Sequence, residues 1–333
     1  MRIFKYFIIV FVLLLCGCEN NNKYDGVVNV LNWSSYIPDS VLRSFEKEYN
    51  IKVNYGTYSS NEELLAKISS SKEGTYDVVF PSDYMTQLLI EKDLIQKIDI
   101  SRISNFKNIN SVFLNKNYDP GNKYSLPFLT TVVVIAVNRN HVTDNISSYN
   151  DLLSDKYKNN IVLIDDQRII IGMSLLANGY NMNSISNDEL SKAKEWLLKL
   201  KENVKAYDSD SPKSFFMTEE ADVGVMWHAE AEIAKLENPN IEIIYPSEGH
   251  AISTDNYTIV KGAKNKDNAY LFIDYLLRND ISSLIINEYP YISPNSVVQN
   301  SIISESEIFN NGYYVQNIGF DIKKYDKIWA DIK

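Results

Sequence analysis

Residues 27–31, apolar but for Asn29 and rich in valine, read as a strand that runs out into Asn32-Trp33-Ser34-Ser35-Tyr36-Ile37-Pro38. Pro38 and Asp39 then open a helix, because Val41, Leu42, Phe45 and Tyr49 recur at the helical period. The unit repeats: a strand over 51–55, a helix capped near Ser60 or Asn61 that carries Leu64, Leu65 and Ile68, a strand over 77–80, and a helix through Leu88 and Leu89. Strands alternating with helices of this length predict a parallel sheet covered on both faces.

The run 131–137 is almost wholly apolar and β-branched, which suits a strand buried on both sides. It is placed to carry the chain into a second lobe beginning near Asn138. There the pattern continues with a strand over 161–164, helices over 170–178 and 188–201, strands over 223–226 and 241–245, and a helix over 229–236 between those two strands. Around Asp255 the chain is expected to return to the first lobe through a strand over 257–260 and an amphipathic helix over 268–277, and then to end on the second lobe.

The N-terminus is a separate element. Arg2 and Lys5 precede an apolar run over 7–15 that is too short for a permanent membrane span and reads as a secretory signal. It ends in Leu15-Cys16-Gly17-Cys18, which resembles a bacterial lipobox and implies a signal peptide over 1–17, lipidation of Cys18 and a polar tether over 18–26. Cys16 and Cys18 are the only cysteines, so the folded body holds no disulfide and depends on burial. With 333 residues and 45% hydrophobic content, two domains are expected. Lys and Arg total 33 against 43 acids, a net charge of −10, which argues against nucleic acid as a partner and favours the approach of polycations.

Two loops concentrate candidate chemistry. The segment 32–38 and the segment Tyr76-Asp77-Val78-Val79-Phe80-Pro81-Ser82-Asp83-Tyr84 both set rings and hydroxyls just past the C-terminal end of a strand, where open α/β folds bind ligands. A small cationic ligand suits them. Catalytic signatures are missing: His141, His228 and His250 lack the spacing of a zinc helix, and there is no Gly-x-Ser-x-Gly elbow or phosphate-cradling loop. Neither a metal nor a cofactor is expected.

These two segments resemble the signature loops of the spermidine/putrescine-binding proteins, the extracytoplasmic receptors of polyamine ABC importers. Further segments are similar in the same order: Ser59-Ser60-Asn61-Glu62, Leu94-Ile95-Gln96-Lys97-Ile98-Asp99, the stretch 118–127 and Ala263-Lys264-Asn265-Lys266-Asp267, so that the likeness spans roughly residues 27–320. The resemblance implies an α/β, two-lobe, type II periplasmic-binding-protein fold with mixed sheets flanked by helices and a ligand cleft between the lobes. It places 27–132 with 256–298 in lobe one and 133–255 with 299–333 in lobe two. It further implies a monomer on the periplasmic or outer face of a bacterial membrane, delivering a polyamine to an ABC permease.

The ligand positions implied are Trp33, Ser34, Tyr36, Ser82, Tyr84, Asp166, Trp227, Glu230, Asp255, Tyr291 and Gln316. A polyamine is a methylene chain with ammonium groups, so carboxylates grip its charges and rings flank its carbons. Asp255 matches the central carboxylate, Asp166 an acid that pairs with an ammonium, and Trp227 the slab under the methylenes. Glu230 stands where many members carry an Asp, and its extra methylene extends the carboxylate further into the cleft. Three positions depart from the pattern, with Ser35 and Ile169 where acids are usual and Ser253 where a ring is usual. Position alone supports other readings: Asp166 as a helix cap, Trp33 and Trp227 as core rings, Asp255 as a turn residue, Glu230 as a solvated helix position. The alternatives in function are a diverged surface lipoprotein serving as adhesin or sensor, and an enzyme on the same scaffold, for which no nucleophile with a nearby base is visible.

Overall fold

The computed structural model describes residues 24–34, 36–209, 211–298 and 305–333. The signal segment, Cys18, most of the tether and Ser35 lie outside the described residues. In the first lobe, β1 (Gly26–Trp33) lies between β2 (Ile51–Tyr58) and β3 (Val78–Val79) and runs parallel to both. Helices α1 (Asp39–Tyr49), α2 (Asn61–Ser70) and α3 (Asp83–Glu91) make the connections, and the short β4 (Ile95–Gln96) follows. The two-residue period of β1 explains the layering: Val28 and Val30 face a core shared with Phe45 of α1, whereas Leu31 faces a second core with Leu64 of α2 and Leu89 of α3. Ser60 caps α2 as the sequence indicates, its Oγ accepting from the Glu63 N–H at 3.1 Å.

β5 (Ser125–Asn138) is 14 residues long and buried at every position. Pro127, flanked by the polar Ser125 and Thr130, interrupts the strand signal of its first half, so it starts six residues before the β-branched run. Beyond it come β6 (Ile161–Leu163), α4 (Gln167–Ala177), α5 (Asn187–Leu200), β7 (Val204–Tyr207), α6 (Lys213–Met217), β8 (Val223–Trp227), α7 (His228–Glu237) and β9 (Ile241–Ile244). From Val133 onward β5 pairs antiparallel with β8 and β9, and its alternate residues fill two cores: Ile135 and Val137 against α4 and α5, Val134 and Ala136 against α6 and α7.

The return strand β10 (His250–Val260) is longer than the expected 257–260. It pairs antiparallel with β5 from Ile252 to Thr258, with a register shift between Asp255 and Asn256. The polar residues that disguise it are buried and satisfied within the sheet: Thr254 Oγ1 lies 3.0 Å from Thr130 Oγ1, and Asn256 Nδ2 donates to Thr254 O at 2.8 Å. Thus β5 and β10 are the two strands common to both lobes, in one sheet of order β2-β1-β3-β10-β5-β8-β6-β7.

The remaining elements are α8 (Lys266–Leu276), α9 (Asn279–Glu288), α10 (Glu305–Asn310), β11 (Gly312–Tyr314) and α11 (Ile322–Ile332). Phe272 of α8 meets Phe45 edge-on with ring centroids 5.1 Å apart, closing the first core. Tyr325, Ile328 and Ile332 of α11 pack into the core of the second lobe, where the chain ends. Asp77, fully buried, ties three parts of the first lobe together: it accepts from Asn29 N at 2.8 Å, from Asn29 Nδ2 at 3.0 Å, from Asn265 N at 2.9 Å and from Asn265 Nδ2 at 3.0 Å. Among the described residues no helix is long and apolar enough to cross a membrane.

Candidate functional site

Strand ends and helix starts from both lobes converge on a cavity of about 650 Å³. The first lobe contributes the loop after β1, the start of α2 and the start of α3. The second contributes the junction of β6 with α4 and the junction of β8 with α7, while Thr131 of β5 and Ser253 and Asp255 of β10 lie where the lobes meet. This is the placement expected of ligand sites in α/β sheets, past the carboxyl ends of the strands.

Asp255 is the best-held polar group in the cavity. Its Oδ1 accepts from the Trp33 indole Nε1 at 3.0 Å and its Oδ2 from the Tyr36 hydroxyl at 2.8 Å. The same indole N–H is shared with Phe80 O at 3.0 Å, which fixes the ring against the end of β3. The side chain is 3% exposed. Burial pushes its pKa up to about 7, and the hydrogen bonds from Tyr36 and Trp33 only partly oppose that. Asp255 makes no ion pair among the described residues. Tyr36 in turn stacks at a tilt on Tyr291, with ring centroids 4.6 Å apart. A backbone bridge joins Asp255 to Ser82, whose Oγ accepts from Asn61 Nδ2 at 2.7 Å, and the Tyr84 hydroxyl points to Glu62 Oε1 at 3.3 Å.

On the second lobe, Asp166 is both a helix cap and a lining residue of the cavity. It caps α4, accepting from Arg168 N at 2.7 Å and Ile169 N at 3.1 Å, and it also lines the cavity. Removal from solvent raises its pKa, and those two N–H bonds limit the rise. Trp227 ends β8 on the cavity wall, and Glu230 follows on the first turn of α7, where its Oε2 receives the Lys213 ammonium at 2.8 Å.

The cavity therefore brings together every expected ligand residue except Gln316. Ser34 is on its exposed rim. Gln316 is exposed and outside the cavity. Its backbone is held from behind, the N–H donating to Asn183 Oδ1 at 2.9 Å and the carbonyl accepting from Arg168 Nη1 at 2.9 Å, while its neighbour Val315 reaches the wall instead. Ile169 and Ser253, the departures from the usual pattern, do line the cavity, and so give it an apolar and a small hydroxyl surface where an acid and a ring are usual.

Other contributors were not singled out by the sequence. Asp83, buried beside Asp255, accepts from Tyr84 N at 2.7 Å, and burial raises its pKa well above its ordinary value. Lys213 comes from a segment with no motif, and Trp329 and Lys333 from the C-terminal helix. Their only sequence signal is amphipathicity. Leaving aside Asp83, which burial keeps toward its neutral form, the wall carries Glu62, Asp165, Asp166, Glu230, Asp255 and Asp326 against Arg168, Lys213 and Lys333 among the described residues, an excess of acid that suits a cation. No group of side chains able to hold a metal ion occurs among the described residues.

Comparison with known proteins bears on the family and the fold. The family model for bacterial extracellular solute-binding proteins matches residues 40–310. The spermidine/putrescine-binding periplasmic protein of Salmonella typhimurium is 34% identical over 313 residues, covering 91% of this chain and 90% of that one. Among solved structures, the TpPotD lipoprotein of Treponema pallidum superposes with a TM-score of 0.85 at 27% identity, covering 92% of this chain and 99% of the other. PotD from Streptococcus pneumoniae, a spermidine/putrescine ABC transporter substrate-binding protein, gives 0.81 at 29% identity over 92% and 98%.

Proposed function

The chain belongs to the bacterial extracellular solute-binding proteins, within the spermidine/putrescine-binding family, and on that premise we propose that it captures a polyamine between its lobes and delivers it to an ABC permease. It is a solute-binding protein and not an enzyme. The observation that carries the reading is Asp255: a buried carboxylate, dressed only by neutral donors, at the floor of an acidic cavity with ring faces around it. Such a group has every reason to accept a cation, since an ammonium restores the charge balance that burial has disturbed.

In this reading Asp255 takes one ammonium. Trp33, Tyr36, Tyr291 and Trp227 flank the methylenes, Ser34, Ser82 and Tyr84 supply hydroxyls, and Asp166 and Glu230 offer negative charge from the second lobe. The lobes are 27–132 with 256–298, and 133–255 with 299–333. A ligand touching both stabilises the closed arrangement by its contacts to each. The protein works outside the cytoplasmic membrane as a monomer, held there through lipid on Cys18.

Calorimetry with putrescine, spermidine, spermine and cadaverine tests the assignment. A folded protein that gives no heat with any of them, up to about millimolar concentration where binding energy falls to about 4 kcal/mol, rules it out. Detergent-phase partitioning of the expressed precursor, lost in Cys18→Ser, tests the anchor.

A further inference from the structure

Lys213 opens α6 directly after Pro212, and its ammonium lies 2.8 Å from Glu230 Oε2. Both residues line the cavity, and their side chains are largely withdrawn from solvent, 25% and 14% exposed. At that depth an ion pair is screened far less than one on the open surface. The chain thus brings its own alkylammonium, on a four-carbon stem, to the acid on the second-lobe wall. That is the chemical group a polyamine would bring.

The two poles of the cavity are consequently unequal. Asp255 is held by an indole N–H and a phenol, both neutral, so an incoming ammonium there meets no rival cation. Asp166 is occupied with the N–H groups that start α4, and Ile169 adds no charge beside it. Glu230 is matched in charge by Lys213.

We infer that Lys213 is a specificity-determining residue that stands in for a ligand ammonium at Glu230, so that a ligand's second ammonium has to displace it. The inference rests on the polyamine reading above. Each positive charge beyond the one at Asp255 then adds less affinity than the number of acids in the cavity suggests, and discrimination among mono-, di- and triamines is blunted.

Calorimetry of the full-length protein and of Lys213→Met, Lys213→Ala and the double variant Lys213→Met with Glu230→Gln, using butylamine, putrescine and spermidine, tests this. Both single variants are expected to bind putrescine and spermidine about tenfold tighter or more, the equivalent of about 1.4 kcal/mol, with butylamine unchanged. The double variant is expected to lose that gain. Unchanged or weaker diamine and triamine binding in single variants that melt cooperatively overturns the inference, as does an equal gain for butylamine. Heat from none of the amines, in any of these proteins, overturns the polyamine reading itself and the inference with it.

Discussion

The Tyr36 hydroxyl donates to Asp255 Oδ2 at 2.8 Å, joining a loop residue of the first lobe to the strand shared by both. Asp255→Asn keeps the shape but removes the charge, and it leaves one amide oxygen to accept where the carboxylate offered two oxygens to Trp33 and Tyr36. Truncating one partner of a desolvated charge pair costs roughly 2–5 kcal/mol, so polyamine affinity is expected to fall by about thirtyfold to several thousandfold. The fold should be retained, because the substitution also removes the cost of burying a carboxylate. A calorimetric affinity equal to that of the parent removes Asp255 from the site.

Asp255 also sets a pH dependence. Its pKa rises from 3.8 to about 7 in the folded protein, so between those values the native state binds the proton that the unfolded chain gives up. Without ligand, this group costs no stability below its unfolded value and costs progressively more as pH climbs through about 7. An ammonium reverses the preference by favouring the carboxylate. Binding below about pH 7 therefore releases a proton, and affinity should rise with pH up to that point by as much as about tenfold per unit and then level off. Titrations at pH 6 in buffers of differing ionisation enthalpy read the proton directly. Asp255→Asn should abolish that proton.

Trp33→Phe separates ring from donor. The face is kept, while the N–H shared between Asp255 Oδ1 and Phe80 O is lost. A hydrogen bond to a charged acceptor contributes about 1.5–3 kcal/mol, so the pH midpoint of binding should move upward by about one to two pH units, and affinity at pH 6 should fall by roughly 10- to 150-fold. An unmoved midpoint would show that the indole does not tune Asp255.

Away from the cavity, Asp77→Ala is the substitution expected to damage the fold most. It removes an acceptor of four hydrogen bonds from Asn29 and Asn265 and leaves half-buried donors unmatched. A loss of about 2–4 kcal/mol is expected, read as a shift in urea midpoint with little change in slope.

The elements most legible in the sequence were those whose burial is one-sided. β2, α1 and α2 follow their periods because one set of side chains meets a core and the other largely does not, whereas β1 was legible as a short apolar run because cores lie on both of its faces. β5 and β10 were only half legible, because Thr130, Thr254 and Asn256 satisfy one another inside the sheet and so look, residue by residue, like a turn. β4 and β7 were missed because neither is a wholly apolar run: β6, equally short, is Ile-Val-Leu and fully buried, whereas β7 is Val-Lys-Ala-Tyr and only half-buried throughout. At the site, the resemblance named residues that the fold does gather, with Gln316 as the exception. Asp166 could not be resolved by position, since capping and lining prove compatible. Lys213 was invisible because its relation to Glu230 joins two helices across 17 residues and follows no local rule.

The strands that join the lobes carry more than connectivity. Asp255 sits at the register shift of β10, on the segment about which one half of the molecule would turn against the other. A point near a pivot scarcely moves while distant points sweep. On the proposed reading Asp255 would be a stationary berth, where a guest moors first while Trp227 and Glu230 swing toward it, so that arrival and enclosure would be two separate events in time.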